Sequence, residues 1–296
     1  MNPRAIALLA ATAASAIYGI NHTIAKGLMP DVIQPFGFIF LRVSGAAFLF
    51  WIIGFFFPSE KIDRSDWFRI VACATFGMTL NMLMFFKGLS LSSPINSSVV
   101  ITLVPVLLLI MSAVFLKEKI TWMKSIGIGL GLIGALMLIL FGAKTQPNAP
   151  NIPLGNILFI INAISYSIYL IIVKPLVAKY SSITLMKWFF IFAFIINIPI
   201  GFSEFQSVNW SQLSLSVIWQ LVFVVVGTTF LTYLFNIYAL KQLRSSTIGA
   251  FIYLQPVLAT FFAVLVGADI LNSLRIGAAV LIFTGVYLST RKPKNA

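Results

Sequence analysis

The sequence predicts an all-α membrane protein of ten transmembrane helices, arranged as two inverted five-helix repeats. Three observations carry this reading. Of the 296 residues 60% are hydrophobic and only 9% are charged, against about a quarter charged in a soluble domain, and the mean hydropathy is +1.02. Apolar stretches recur along the whole length, each of the roughly 20 residues needed to cross a bilayer core of about 30 Å as a helix. Finally, the proline inside ITLVPVLLLI (101–110) returns inside FIYLQPVLATFF (251–262). A β-barrel is excluded because the apolar runs are continuous rather than alternating.

The first helix covers residues 5–25. Arg4 before a small, apolar run raises the question of a cleaved signal peptide, but the run continues through Ile24 without a polar break, so it is expected to stay as a helix. Pro30 and Asp31 end it, and the second helix follows at 34–57. The turn PSEKIDRSD (58–66) leads into the third at 67–88. The fourth (94–116) and fifth (122–142) flank the charged stretch FLKEKIT. A linker rich in Pro and Asn, QPNAPNIP at 146–153, divides the chain into halves of 1–145 and 154–296. Helices six to ten then follow at 154–174, 183–203, 215–240, 245–267 and 272–290.

The basic residues orient these helices. With the N-terminus inside, fifteen Lys and Arg residues fall on the inner side, from Arg4 through Lys61, Lys117, Lys174 and Lys241 to Lys294. Four fall outside, Lys26, Lys87, Lys144 and Arg275, and Arg42 lies within a span. Both termini are therefore predicted to be cytoplasmic. The same bias accounts for the net charge of +13 without a nucleic-acid partner. The lone cysteine, Cys73, excludes an intramolecular disulfide and a cysteine-based metal cluster, and no cofactor or metal is expected.

The halves resemble each other. YGINHTIAK (18–26) lies over YSIYLIIVK (166–174) at an offset of 148. At an offset of 151, Pro105 meets Pro256, Glu118 meets Asp269 and Gly134 meets Gly285. Five helices per half is an odd number, so the second copy enters the membrane upside down. Inverted repeats of this kind place a substrate site near the midplane and let it open to either side.

On YGINHTIAK, on the fourth-helix proline followed by FLKEKIT, and on the Gly-rich GIGLGLIGALMLI, the whole chain resembles the EamA-type branch of the drug/metabolite transporter superfamily. Tyr18 stands where that family commonly has Trp, and Asp269 within GADIL replaces its second Glu. The resemblance implies ten helices, a central cavity, and export or exchange of small metabolites.

A proline within a helix frees the carbonyl four residues earlier, here those of Ile101 and Ile252. The kinks can be packing features satisfied by neighbouring helices; their symmetric placement favours a hinge that shapes a substrate path. Polar residues gather on the same helices. The first carries Tyr18, Asn21 and His22, the third Thr79 and Asn81, and the fourth Thr102. The sixth has Asn162, Ser165, Tyr166 and Tyr169, the eighth Thr228, Thr229, Thr232, Tyr233 and Asn236, and the ninth Tyr253 and Gln255. Polar groups facing lipid are unfavourable, so these helices are expected to surround a cavity. Helices five and ten carry glycines instead, at 127, 129, 131, 134, 277 and 285, which suit close helix packing or a homodimer surface.

Arg42 costs about 2.5–3.5 kcal/mol at the centre of a span on insertion scales, so it should reach a headgroup or an anion in the path. All seven acidic residues fall in loops or at helix ends, which removes the buried carboxylate a proton-driven multidrug antiporter would discharge. His22 alone could titrate near neutral pH inside the bundle.

The expectation is a secondary carrier in the cell (inner) membrane. It exports small polar metabolites such as amino acids, or lets them pass by uniport, through alternating access. The binding residues expected are Tyr18, Asn21, His22, Arg42, Asn81, Thr102, Pro105, Tyr166, Tyr169, Thr232, Asn236, Tyr253, Gln255 and Pro256. The alternatives are exchange of phosphorylated or other anionic metabolites and proton-coupled drug efflux through His22. An enzyme is not expected, since HExxH, GxSxG and a buried Asp pair are all absent from the sequence, and an ATP-driven pump would need GxxxxGK[ST].

Overall fold

The computed structural model describes residues 2–58, 60–92, 97, 100–142, 150–258 and 273–290, apart from the side chains of residues 22, 23, 26, 138–142 and 275. The described residues form helices joined by turns, with no strand among them. Helix α1 spans Pro3–Leu28, opened by the Asn2 side chain, which accepts from the Arg4 N–H at 3.0 Å. Helix α2, Pro35–Gly54, begins with proline at a position whose N–H would be unpaired in any case. The next two N–H groups, of Phe36 and Gly37, donate to the Glu204 carboxylate at 2.7 and 2.9 Å. That negative charge sits at the positive end of the helix dipole.

The third span is not a uniform α-helix. Helix α3 (Trp67–Cys73) passes into a π-helical stretch, Ala74–Leu80, before α4 (Asn81–Leu91). Its counterpart in the second half does the same, with α10 (Leu215–Val222), a π stretch at Phe223–Leu231 and α11 (Thr232–Gln242). Asn81 and Thr232, where the α-helix resumes, are 151 positions apart, the spacing that also relates Pro105 to Pro256.

Between these lie α5 (Leu103–Phe115), α6 (Trp122–Gly142), α7 (Ile152–Ile172), α8 (Lys174–Lys179) and α9 (Ser182–Gln206). Helix α12 (Ser245–Phe251), helical residues 254–258 and α13 (Ser273–Thr290) complete the fold. Six helices among the described residues are long and apolar enough to cross a membrane, and three shorter apolar helices accompany them. Outward-facing side chains such as Ile133, Val280 and Phe283 are apolar and more than half exposed, as lipid contact requires.

Each of the two repeat-related prolines stands just after an interruption of its helix. The fourth-span helix is interrupted at Thr102 and restarts at Leu103; the ninth breaks at Ile252–Tyr253 and resumes at Leu254. Pro105 and Pro256 each follow the break by three or four residues and have no N–H to offer the carbonyl four residues earlier, while Thr102 and Ile252 keep right-handed helical dihedrals, so the chain passes each proline as an interrupted helix. The Ile252 carbonyl accepts from the Gln255 N–H at 3.1 Å, so it is not left free.

Loops assigned to one side by their charges meet one another. Glu60 accepts from the Ser181 N–H at 2.8 Å, and Asp66 accepts from Lys179 Nζ at 2.8 Å and Tyr180 Oη at 2.9 Å. Glu118 accepts from the Ser245 N–H at 3.2 Å and lies 3.3 Å from Lys124 Nζ.

The glycine-rich helices pack on each other. A Cβ added to Gly285 would lie 2.5 Å from the Gly127 carbonyl oxygen, and one added to Gly134 would lie 2.8 Å from that of Ala278. Only glycine lets α6 and α13 approach so closely.

Candidate functional site

A cavity of about 850 Å³, counting the space at its mouth, lies among α1, α2, α4, α7, α11, α12 and the start of the fourth-span helix. Its lining follows helical spacing: Ser15, Tyr18 and Asn21 on α1; Asn81, Met82, Phe85 and Phe86 on α4; Asn162 and Tyr166 on α7; Tyr233 and Asn236 on α11. Residues three and four apart share a face, so each helix contributes one stripe. Ile101, Val104, Ile248, Phe251, Ile252 and Gln255 complete the wall from the two interrupted helices, and Arg42 enters from α2.

Arg42 is 3% exposed. Its Nε donates to Thr229 Oγ1 at 2.9 Å and one terminal nitrogen donates to the Thr228 carbonyl at 3.3 Å. The guanidinium carbon stands 4.8 Å from the centre of the Phe86 ring and 5.8 Å from that of Phe38, within range of cation–π attraction. Among the described residues no carboxylate lines the cavity or pairs with this charge. A guanidinium has five N–H donors, of which these two bonds engage two, so the cation is held in place with donors left over.

The π-helical stretches explain why these partners exist. Widening a helical turn displaces carbonyls from their usual N–H partners, and they must be answered from elsewhere. The Phe76 carbonyl accepts from Ser165 Oγ at 2.7 Å and that of Gly77 from Tyr233 Oη at 3.0 Å. In the second half, Thr228 offers its carbonyl to Arg42 and to Thr232 Oγ1, the latter at 2.7 Å. Asn162 Nδ2 donates to the Asn81 carbonyl at 2.8 Å, tying α7 to α4 beside the cavity.

Comparison with known proteins gives this arrangement a family. The sequence pattern of the EamA-like transporter family matches residues 5–140 and again 153–291. The chain belongs to the EamA-like transporter family. It is similar to an uncharacterized transporter of Archaeoglobus fulgidus, 27% identical over 88% of this chain and 90% of that one. It also resembles the uncharacterized transporter YetK of Bacillus subtilis, 24% identical over 98% and 88% of the two chains. An S-adenosylmethionine uptake transporter of Rickettsia felis is 23% identical over 75% of this chain and 70% of its own. One solved crystal structure, 19% identical, superposes over 96% of both chains with a TM-score of 0.78, which establishes the shared fold. Family and relatives alike are transporters, not enzymes, and the protein is a multi-pass membrane protein.

In this EamA-like chain, seven of the fourteen expected binding residues lie on the cavity wall: Tyr18, Asn21, Arg42, Asn81, Tyr166, Asn236 and Gln255. The His22 side chain lies outside the described residues. The other six are not on the wall. Tyr169 is 2% exposed and its ring lies where a Cβ on Gly77 would stand; Thr232 is fully buried, its hydroxyl donating to the Thr228 carbonyl. Tyr253 donates to the Thr102 carbonyl at 3.2 Å, so this repeat-related pair joins the two helix breaks rather than facing a ligand. Pro105 packs against Gly249 and Pro256 is half-buried.

The cavity residues that polarity did not mark are Ser15 and an apolar set comprising Met82, Phe85, Phe86, Val104, Ile248 and Phe251. Spacing was the available signal for Ser15, Phe85, Val104, Ile248 and Phe251, each three or four positions from a polar wall residue or from one of the interrupted-helix isoleucines; Met82 and Phe86 carry no such signal.

Proposed function

We propose that this EamA-like protein is a secondary carrier for small polar metabolites that bear a carboxylate, such as amino acids, moved by export or uniport. The observation that carries the reading is Arg42, a buried cation on the cavity wall with guanidinium donors beyond those used by Thr228 and Thr229. Tyr18, Tyr166, Phe85 and Phe86 supply aromatic walls for an apolar side chain, and the Asn and Gln amides supply polar contacts. The relative named for uptake of S-adenosylmethionine moves a molecule that itself ends in an α-amino carboxylate, which supports the same headgroup here. Exchange of phosphorylated metabolites would call for further cations, and among the described wall residues Arg42 is the one that is charged. Proton-coupled drug efflux rests on His22 and gains no support from the described residues.

In this reading two inverted five-helix units, 1–145 and 154–296, exchange conformations in the inner membrane so that the cavity opens to one side at a time, with both termini in the cytoplasm. The helix interruptions at Thr102 and Ile252–Tyr253 supply the bending points. A homodimer through the glycine-rich helices would use Gly129 and Gly277, which have open space where a Cβ would stand. Reconstitution tests the function: vesicles loaded with unlabelled amino acid should accumulate labelled amino acid by counterflow, with saturation. Linear, unsaturable flux would identify a pore instead, and silence toward the full set of amino acids would remove the cargo assignment.

A further inference from the structure

Asn21 lies on the cavity wall three residues beyond Tyr18, 4% exposed, with its side-chain oxygen buried and without a hydrogen-bond partner. That oxygen can only accept. A buried acceptor left unanswered is unfavourable, so the site calls for a donor that the protein does not provide. Arg42, on the same wall, calls for the opposite: an anion to take up its remaining donors. With no carboxylate among the described wall residues, a substrate cation finds no fixed counter-charge in the cavity and is repelled by Arg42. A cationic group is admitted only when the substrate carries its own anion. Tyr18 and Tyr166 line the same cavity.

We propose that the Asn21 side-chain carbonyl receives the substrate's ammonium while Arg42 receives its carboxylate, so that the cavity selects zwitterionic α-amino acids over carboxylates that lack the amine and amines that lack the carboxylate. The assignment rests on the amino-acid reading above and makes Asn21 the residue that reads the amine. Removing it should erase a preference rather than transport as a whole.

The test uses the full-length protein in proteoliposomes. Counterflow is measured for the amino acid it moves best and for the matching 2-oxo acid, identical except at the α-carbon. Wild type should favour the amino acid by about tenfold or more, the order expected for one charge-assisted hydrogen bond. In Asn21→Leu the two rates should come within about threefold of each other, by loss of amino-acid transport with the oxo acid still carried. Arg42→Gln should lose both. An undiminished preference in Asn21→Leu, or equal handling of the two acids by wild type, overturns the proposal. Failure of wild type to move any amino acid, seen before a variant is made, overturns the cargo reading and this proposal with it. Should Asn21→Leu not reach the membrane, Asn21→Asp carries the test: its added charge should let the decarboxylated amine stabilise the purified protein against heat, which wild type does not allow. No gain in Asn21→Asp overturns the proposal as well.

Discussion

Arg42 Nε donates a 2.9 Å hydrogen bond to Thr229 Oγ1, 187 positions further along the chain. The pair joins α2 of the first half to the π-helical stretch of the second, fixing the one charged group on the described cavity wall. A lysine keeps the charge but cannot span Thr229 and the Thr228 carbonyl with a planar fork. Arg42→Lys should therefore reduce counterflow about tenfold, and Arg42→Gln should abolish it, because hydrogen bonds to a charged group contribute about 1.5–3 kcal/mol. The measurement is initial counterflow rate per amount of protein incorporated.

The α6–α13 contact separates glycines that packing requires from those it does not. A Cβ on Gly127 would stand 2.6 Å from the Gly285 carbonyl oxygen and 2.8 Å from the Ser289 nitrogen, both backbone atoms that cannot move aside. Gly127→Ala and Gly285→Ala should each lower stability by about 1–3 kcal/mol through overpacking. Gly129→Ala and Gly277→Ala meet open space and should raise it by about 0.5–1 kcal/mol, the helix preference of Ala over Gly. Thermal unfolding of the purified protein in detergent distinguishes the two pairs.

Glu118 binds the start of α12 to the end of the fourth span. Its carboxylate takes the Ser245 N–H at 3.2 Å and Ser246 Oγ at 2.5 Å, and Lys124 sits 3.3 Å away, with both charged side chains about nine-tenths buried. Glu118→Ala leaves the Lys124 ammonium without its counter-ion and should cost about 3–5 kcal/mol. Replacing both with methionine should cost less than either single change. A double-mutant cycle in unfolding temperature reads the coupling, and additive losses would contradict it.

Glu60 sets a dependence on pH. Partial burial pushes its carboxyl up, but hydrogen bonds from Ser181 and Thr184 and the charge of Lys241 outweigh that effect, so it ionises below its ordinary value of 4.5. A carboxyl lowered on folding adds stability that is present above 4.5 and disappears as pH falls through the lowered folded-state value. Unfolding temperature should drop over that acid range in wild type, and Glu60→Gln should flatten this part of the profile.

Hydropathy in the chain alone pointed to a polytopic helical membrane protein, the motifs YGINHTIAK, FLKEKIT and GIGLGLIGALMLI carried its resemblance to this transporter family, and polar residues picked out most of the helices that reach the cavity. Solvent preference is a local property, summed over about 20 consecutive residues, and a polar side chain on a lipid-bathed helix marks that helix by itself. The tertiary structure decided which face of each helix mattered. It turned Tyr253 to the Thr102 carbonyl rather than to the cavity, set Tyr169 against Gly77, and placed Phe85, Phe86 and Met82 on the wall although nothing polar marks them. It also widened the turns that give Arg42 and Tyr233 their carbonyl partners. Those outcomes depend on which groups meet between helices far apart in the chain, and periodicity along one helix carries no record of its partner.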